Sequence, residues 1–212
     1  MKSEFWHSAW SAGRRGFHRD SVHPVLEARF DAWIEGSNGK VLVPLCGKTL
    51  DMAWMCARGA SVVGVEIVER AVRELYDDMG VQARIEEVDP FSRWCTPGLD
   101  VWVGSIFDLS PEQVQVDRVW DRAALVALSP DQRESYVQTL ISVLPVGGSI
   151  LLVTLEYEPT ARNPPPHSVP ESVVRELYAG HDVTKHERVA LPVGNLGMQS
   201  TVWRTTYEIV VC

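Results

Sequence analysis

The sequence has no apolar run of about 18 residues or more, the length a membrane-spanning helix needs. Its first ten residues, MKSEFWHSAW, lack the apolar core of a signal peptide. Cysteine is scarce. The four present (Cys46, Cys56, Cys95 and Cys212) form no CxxC pair, and no His-rich ligand spacing accompanies them. No disulfide framework and no metal site is expected, and the thiols read as reduced ones of a cytoplasmic protein. Basic residues are outnumbered: 20 Lys and Arg stand against 28 Asp and Glu, a net charge of −8. That balance excludes nucleic acid as a bulk partner, because a phosphate backbone rewards clustered cations. No internal repeat and no domain boundary is visible.

What is present is ordinary for a soluble globular chain: 45% apolar and 23% charged residues over 212 positions, enough for one domain with a large core. Eight tryptophans are more than expected at this length, and Trp6, Trp10 and Trp33 fall in the first 33 residues. The segment from Ser3 to His23 mixes Trp6, Trp10 and Phe17 with Gly13, Gly16, Arg14 and Arg15. It is too aromatic for a disordered tail and too rich in glycine for one long helix. Val25, Leu26, Phe30 and Trp33 then follow helical spacing, with Pro24 suited to the first turn.

Beyond that, strands alternate with helices. Strands are expected at Val41–Leu45, Ser61–Ile67, Arg84–Glu87, Val101–Gly104, Val116–Trp120 and Ser149–Tyr157, with an irregular segment over Asp89–Gly98. Helices are expected at Leu50–Arg58, Glu69–Met79, Ala123–Leu128, Ser129–Leu144 and Glu171–Ala179. A loop at 158–170 holds five of the 13 prolines. Val183–Leu191 and Thr201–Val211 alternate in period two and read as antiparallel strands. The fold class is α/β, a mostly parallel sheet with an antiparallel C-terminal edge.

The stretch Lys40–Asp51, KVLVPLCGKTLD, organises this pattern. A buried strand runs into a tight Cys-Gly turn, and a helix starts near Thr49. Such a unit leaves backbone N–H groups pointing at a crevice. Glu66 stands 21 residues after Leu45 at the end of the second strand, and the pairing of Gly turn and following acid is how an open parallel sheet holds a nucleoside. An isolated Glu there would read as a surface charge, but its spacing from the turn favours a ligand role. Cys46 could be a nucleophile, yet its spacing better suits a small packed residue.

Three nucleotide readings compete. Gly47-Lys48-Thr49 fits the end of a P-loop, but Leu42 stands where GxxxxGK[ST] needs its first glycine. Against GxGxxG, Thr49 and Met52 occupy the second and third glycine positions. S-adenosylmethionine has no phosphate and needs only a turn, an acid for two ribose hydroxyls, and an apolar slot for adenine. Glu66 supplies the acid. Ile106 and Phe107 would form the slot, with Ser105 or Asp108 reading the exocyclic amine. Asp121 and Arg122 follow an apolar strand, so both are expected to face the crevice unless they pair with one another; Arg122 can fork to a carboxylate or cap a polar ring.

WxxxWxxGxxGFH at Trp6–His18, PLCGK at Pro44–Lys48, GVEI at Gly64–Ile67, SIFDL at Ser105–Leu109 and WDRAALVAL at Trp120–Leu128 together resemble the thiopurine S-methyltransferase family, its bacterial branch in particular. The blocks keep the family's order over nearly the whole chain. The resemblance implies a three-layer, Rossmann-like methyltransferase fold with a seven-stranded sheet, as one domain over 1–212 whose residues 1–35 cover the active site. It implies S-adenosylmethionine as donor, held by Trp10, Leu45, Glu66, Ile106 and Arg122, and a thiopurine or similar small aromatic or heterocyclic thiol held by Phe17 and Arg122. Gly194–Trp203 departs most from the family pattern, so no further arginine contact is carried over. The thiolate would attack the sulfonium methyl in line, without an obligatory general base; Asp121 and His18 are the possible proton acceptors. The expected protein is a cytoplasmic monomer. The alternatives are a methyltransferase acting on selenium or tellurium compounds or another small thiol, an inactive binding module, and a nicotinamide oxidoreductase, the last disfavoured by the missing glycines.

Overall fold

The computed structural model describes residues 3–14, 17–192, 194, 197 and 200–212. Arg15 and Gly16 lie outside the described residues, as do Asn195, Leu196, Met198 and Gln199 of the Gly194–Trp203 stretch expected to depart most from the family pattern.

The chain opens with two helices. Helix α1 (Ser3–Ser11) ends just before Gly13, which takes φ 68° and turns the chain. Helix α2 (Pro24–Ile34) starts as expected, with proline in the first turn and the His23 side chain accepting the Val25 N–H as its cap. Then follow β1 (Lys40–Pro44), α3 (Leu50–Cys56), β2 (Ser61–Glu66), α4 (Glu69–Met79), β3 (Arg84–Val88), β4 (Phe91–Thr96) and β5 (Leu99–Val103). The remainder is β6 (Arg118–Arg122), α5 (Pro130–Ser142), β7 (Ser149–Glu156), α6 (Glu171–Leu177), β8 (Asp182–Leu191) and β9 (Val202–Val210).

All nine described strands join one sheet, in the order β3-β4-β5-β2-β1-β6-β7-β9-β8. The five central strands, β5-β2-β1-β6-β7, are parallel. Both flanks are antiparallel. The chain builds outward from β1 through β2 to β5, then returns to the other side of β1 and builds β6 and β7. The switch point therefore falls between β1 and β6, and a ligand crevice is expected beyond their carboxyl ends.

Alternation along β1 splits the core. Val41 and Val43 pack with Leu26, Phe30 and Trp33 of α2, Met52 and Met55 of α3, and Val72 and Leu75 of α4. Leu42 faces the opposite layer, with Tyr136 and Leu140 of α5 and Val174 of α6. The result is three layers around a sheet whose central strands are buried on both faces, while β3 and β8 at its edges stay open to solvent.

Among the described residues the sheet has nine strands, where the resemblance implied seven and the strand-by-strand reading eight. The strand not expected is β4 (Phe91–Thr96). The irregular segment expected over Asp89–Gly98 contains β4, which pairs antiparallel with both β3 and β5. Phe91 and Trp94 are its buried positions, and three-residue spacing in so short a strand hides the usual period of two. The helix expected over Ala123–Leu128 is only a 3-10 turn at Leu125–Ala127. Ala123 takes φ 68°, which α geometry does not admit.

Candidate active site

The turn after β1 is held by its own neighbours. Leu45 sits at φ 48° and Gly47 at φ 53°. The Cys46 N–H donates to the Val65 carbonyl at 3.0 Å, and the Thr49 N–H to the Cys46 carbonyl at 3.2 Å. Glu66, at the end of β2, accepts the Gly47 N–H on Oε2 and the Val68 N–H on Oε1, each at 2.8 Å. The turn donors expected to face the crevice are thus consumed internally, at Cys46, Gly47 and Thr49. An anion nest is not available there, which suits a nucleoside without phosphate. Burial pushes the Glu66 carboxyl above its usual range, and the backbone N–H groups pull it back. Each oxygen spends one lone pair on a backbone donor and has a second one left.

A cavity of about 850 Å³, counted with its open mouth and the solvent in it, lies against this turn at the switch point. Leu45, Cys46, Gly47 and Glu66 form one wall, and Trp120, Arg122, Ala123 and Ala127 the opposite one. From the N-terminal segment, Trp6, Trp10, Arg14, Phe17 and His18 all line the cavity. The Trp6 and Phe17 rings lie 6.0 Å apart at 52°. Trp10 packs over the turn so closely that a Cβ on Gly47 would stand 3.4 Å from its Cζ2.

Arg122 donates from Nη1 to the Phe17 carbonyl at 2.6 Å, tying the N-terminal segment to the end of β6. Burial lowers its pKa, the Asp51 charge raises it, and the guanidinium remains a cation. Lys48 also lines the cavity but is engaged by Asp78 at 2.8 Å and Glu74 at 3.4 Å. Cys46 is buried beneath the turn, and burial raises its thiol well above the reactive range. This favours the packed residue over the nucleophile.

Of the residues expected from sequence, Trp10, Phe17, Leu45, Glu66 and Arg122 converge on one cavity. Ile106 does not line it; the side chain is buried in the core with Leu109 and Leu125. Ser105 caps the turn that holds Ile106, accepting the Phe107 N–H at 3.3 Å. Asp121 was expected to face the crevice and does not. On a strand, neighbouring side chains point to opposite faces, so Arg122 and Trp120 look into the cavity while Asp121 is fully buried against α5. No ion pair joins Asp121 to Arg122 among the described residues.

Sequence reading missed the cavity's deep end. Asp51, in the first turn of α3, accepts the His23 N–H on Oδ1 and the Trp120 indole N–H on Oδ2, each at 2.8 Å. Its signal was an acid in the first helical turn after the glycine turn. The His23 ring lies beside Trp120, centroids 5.5 Å apart and tilted by 56°, and burial, aided by the Arg122 charge, pushes its pKa down to about 3. It is neutral at physiological pH. Among the described residues no cluster of His, Cys, Asp and Glu could hold a metal, and no helix is long and apolar enough to cross a membrane.

Solved structures with this architecture include magnesium protoporphyrin IX methyltransferase from Synechocystis, with a TM-score of 0.66 and 12% identity over 99% of this chain and 97% of that one. Another is the 1,6-didemethyltoxoflavin-N1-methyltransferase of Burkholderia thailandensis with bound S-adenosylhomocysteine, with a TM-score of 0.65 and 18% identity over 99% and 87%. At that identity they show the fold alone. Sequence relatives are nearer. A thiopurine S-methyltransferase of Teredinibacter turnerae is 37% identical over 99% of each chain. That of Pseudomonas paraeruginosa is 41% identical over 84% of this chain and 83% of its own. The residue pattern of thiopurine S-methyltransferase (TPMT) matches residues 1–208. The chain belongs to the thiopurine S-methyltransferase family.

Proposed function

We propose that this chain transfers the methyl group of S-adenosylmethionine to the sulfur of a thiopurine or a similar small aromatic or heterocyclic thiol. The observation that carries the reading is one cavity at the β1/β6 switch point, with the latched Gly47–Glu66 turn on one wall and Arg122 on the other, under the Trp6/Trp10/Phe17 cover. The names of the relatives favour thiopurines over selenium or tellurium compounds. The present Glu66 and turn glycine speak against an inactive binding module.

The residues fit the donor. Glu66 would accept from the ribose hydroxyls with the lone pairs left by Gly47 and Val68. Leu45 and Trp10 would enclose the nucleoside, and Ile106 would back the adenine side from the core. When bound, the donor supplies an electrophilic methyl on a sulfonium. Aromatic faces over a cation favour it, the role proposed for Trp6 and Trp10. Phe17 and Arg122 would hold the acceptor, Arg122 as countercharge to a thiolate or an anionic purine. Thiolate is the reactive form of sulfur, so orientation rather than proton abstraction carries the rate. His18, on the cavity wall, is the remaining candidate to take a proton; Asp121 is displaced from that role by its burial on the other face. We propose a cytoplasmic monomer in which Trp6, Trp10, Phe17 and His18 cover the site; α2, within the 1–35 range expected as cover, packs in the core instead.

The test is methyl transfer from labelled donor to 6-mercaptopurine. Transfer is expected. Its absence with donor binding intact would remove the acceptor and leave the donor site.

A further inference from the structure

We propose that Asp121 is a positioning residue for the acceptor side, which holds the Arg122–Ala127 wall of the cavity by accepting two hydrogen bonds behind it. The proposal rests on the reading of Arg122 as the acceptor-side cation.

The geometry begins with strand alternation. Trp120 and Arg122 line the cavity, and Asp121 between them points the other way. Its Oδ1 accepts the Leu125 N–H at 3.1 Å, and its Oδ2 accepts the Tyr136 hydroxyl at 2.8 Å. Tyr136 is itself fully buried on α5. Asp121 therefore pins the backbone four residues ahead to the end of its own strand, and α5 pins Asp121.

The chain between Asp121 and Leu125 must reverse within three residues. It does so through Ala123 at φ 68°, a conformation an L-residue keeps only where its surroundings impose it. From the far side the His167 N–H donates to the Val126 carbonyl at 2.6 Å. The corner is thus clamped from two directions. Its cavity face carries Ala123 and Ala127, and at its start the Arg122 guanidinium is aimed at the Phe17 carbonyl. A residue that touches no ligand sets the shape of one wall and the aim of its cation. Sites hold such groups with supporting hydrogen bonds because small misplacements are costly.

The experiment compares Asp121→Asn, Asp121→Ala and Tyr136→Phe in the full chain. Acceptor KM and kcat are measured with 6-mercaptopurine, and donor Kd by titration with S-adenosylhomocysteine. Asp121→Ala is expected to raise acceptor KM on the order of 10-fold or more, the size of effect a misplaced binding group has. Donor Kd should rise less, since Leu45, Glu66 and Trp10 are untouched. Asp121→Asn keeps an oxygen for the Leu125 N–H and can donate to Tyr136, so it should restore acceptor KM to near the wild-type value. Tyr136→Phe should raise it in the same direction as alanine, by less. If Asp121→Ala does not fold, the contrast between Asp121→Asn and Tyr136→Phe decides. Asp121→Asn as deficient as alanine in kcat at unchanged KM would make Asp121 a base and overturn the proposal. Equal loss of donor and acceptor affinity, or no change in any variant, would overturn it too. A wild-type protein that methylates no thiol removes the reaction but not the positioning, because binding of 6-mercaptopurine to protein saturated with S-adenosylhomocysteine reads the same order of variants without turnover.

Discussion

The Glu66 carboxylate accepts the Gly47 N–H at 2.8 Å, joining the end of β2 to the turn that follows β1. The acid 21 residues after Leu45 therefore shapes the turn it works beside. Glu66→Ala should weaken S-adenosylhomocysteine binding by about 1–3 kcal/mol, the usual loss when hydrogen bonds to a charged group disappear. It should also lower stability, because the Gly47 and Val68 N–H groups lose their acceptor. Glu66→Gln retains one acceptor oxygen and should fall between. Calorimetric titration reads the affinity and thermal melting the stability. Unchanged donor affinity in Glu66→Ala would sink the ribose assignment.

Two buried groups give opposite pH dependence in one window. Burial pushes Asp121 up from 3.8 to about 6. The stability it contributes is fully present below 3.8 and is lost as pH rises through about 6. Burial pushes His23 down from 6.5 to about 3. Its contribution is present above 6.5 and is lost as pH falls toward 3. Between roughly pH 4 and 6 the two slopes oppose, so neither shows fully in the wild type. Asp121→Asn should steepen the loss of stability toward acid. His23→Asn, which keeps a side-chain cap for α2, should do the reverse. Urea midpoints across this range measure both slopes, and parallel curves for Asp121→Asn and wild type would refute the Asp121 shift.

The parallel centre of the sheet was legible because β1, β2 and β7 are continuous apolar runs separated by helical periods. The wall formed by the Gly turn and Glu66 was legible too, since both lie at ends of strands whose order the alternation fixes. The wall after β6 was harder. Asp121 and Arg122 look equivalent in sequence, and only the facing of β6 separates the residue in the cavity from the one behind it. Ile106 was assigned to a ligand by its neighbourhood, while packing with Leu109 and Leu125 draws it into the core. Asp51 and His23 join segments 28 residues apart through a backbone N–H, and no sequence pattern encodes such a contact.

Ala123 offers a test of strain at the site. An L-residue in the left-handed region costs about 1–2 kcal/mol relative to the right-handed one. Glycine there relieves it, offset in part by glycine's greater unfolded-state entropy. Ala123→Gly should therefore raise Tm by about 2–4 °C, the shift about 1 kcal/mol gives a chain of this size. Ala123→Val should lower it, since β-branched residues tolerate φ 68° poorly. Acceptor KM should rise in Ala123→Gly despite the higher Tm, because the corner that aims Arg122 loosens. A lower Tm in the glycine variant would mean that the corner is not strained.

Gly64 and Cys46 should show energetic coupling. A Cβ at Gly64 would stand 2.8 Å from Cys46 Sγ, 3.1 Å from Met52 Sδ and 3.3 Å from Val101 Cγ2. Glycine in the middle of β2 thus lets the turn and α3 lie directly on the sheet. Gly64→Ala should destabilise by about 1–3 kcal/mol through overpacking. Cys46→Ala removes the nearest atom. Alone it should cost about 1 kcal/mol for the space left, and it should retain methyl transfer, since a buried thiol with a raised pKa is no nucleophile. In the double variant the new methyl occupies part of the vacated space. Its loss should be smaller than the sum of the single losses by at least about 0.5 kcal/mol, the range seen for residues in contact. Additive losses in urea denaturation would show that the strain of Gly64→Ala is relieved elsewhere, and loss of turnover in Cys46→Ala with donor affinity intact would return the thiol to the mechanism.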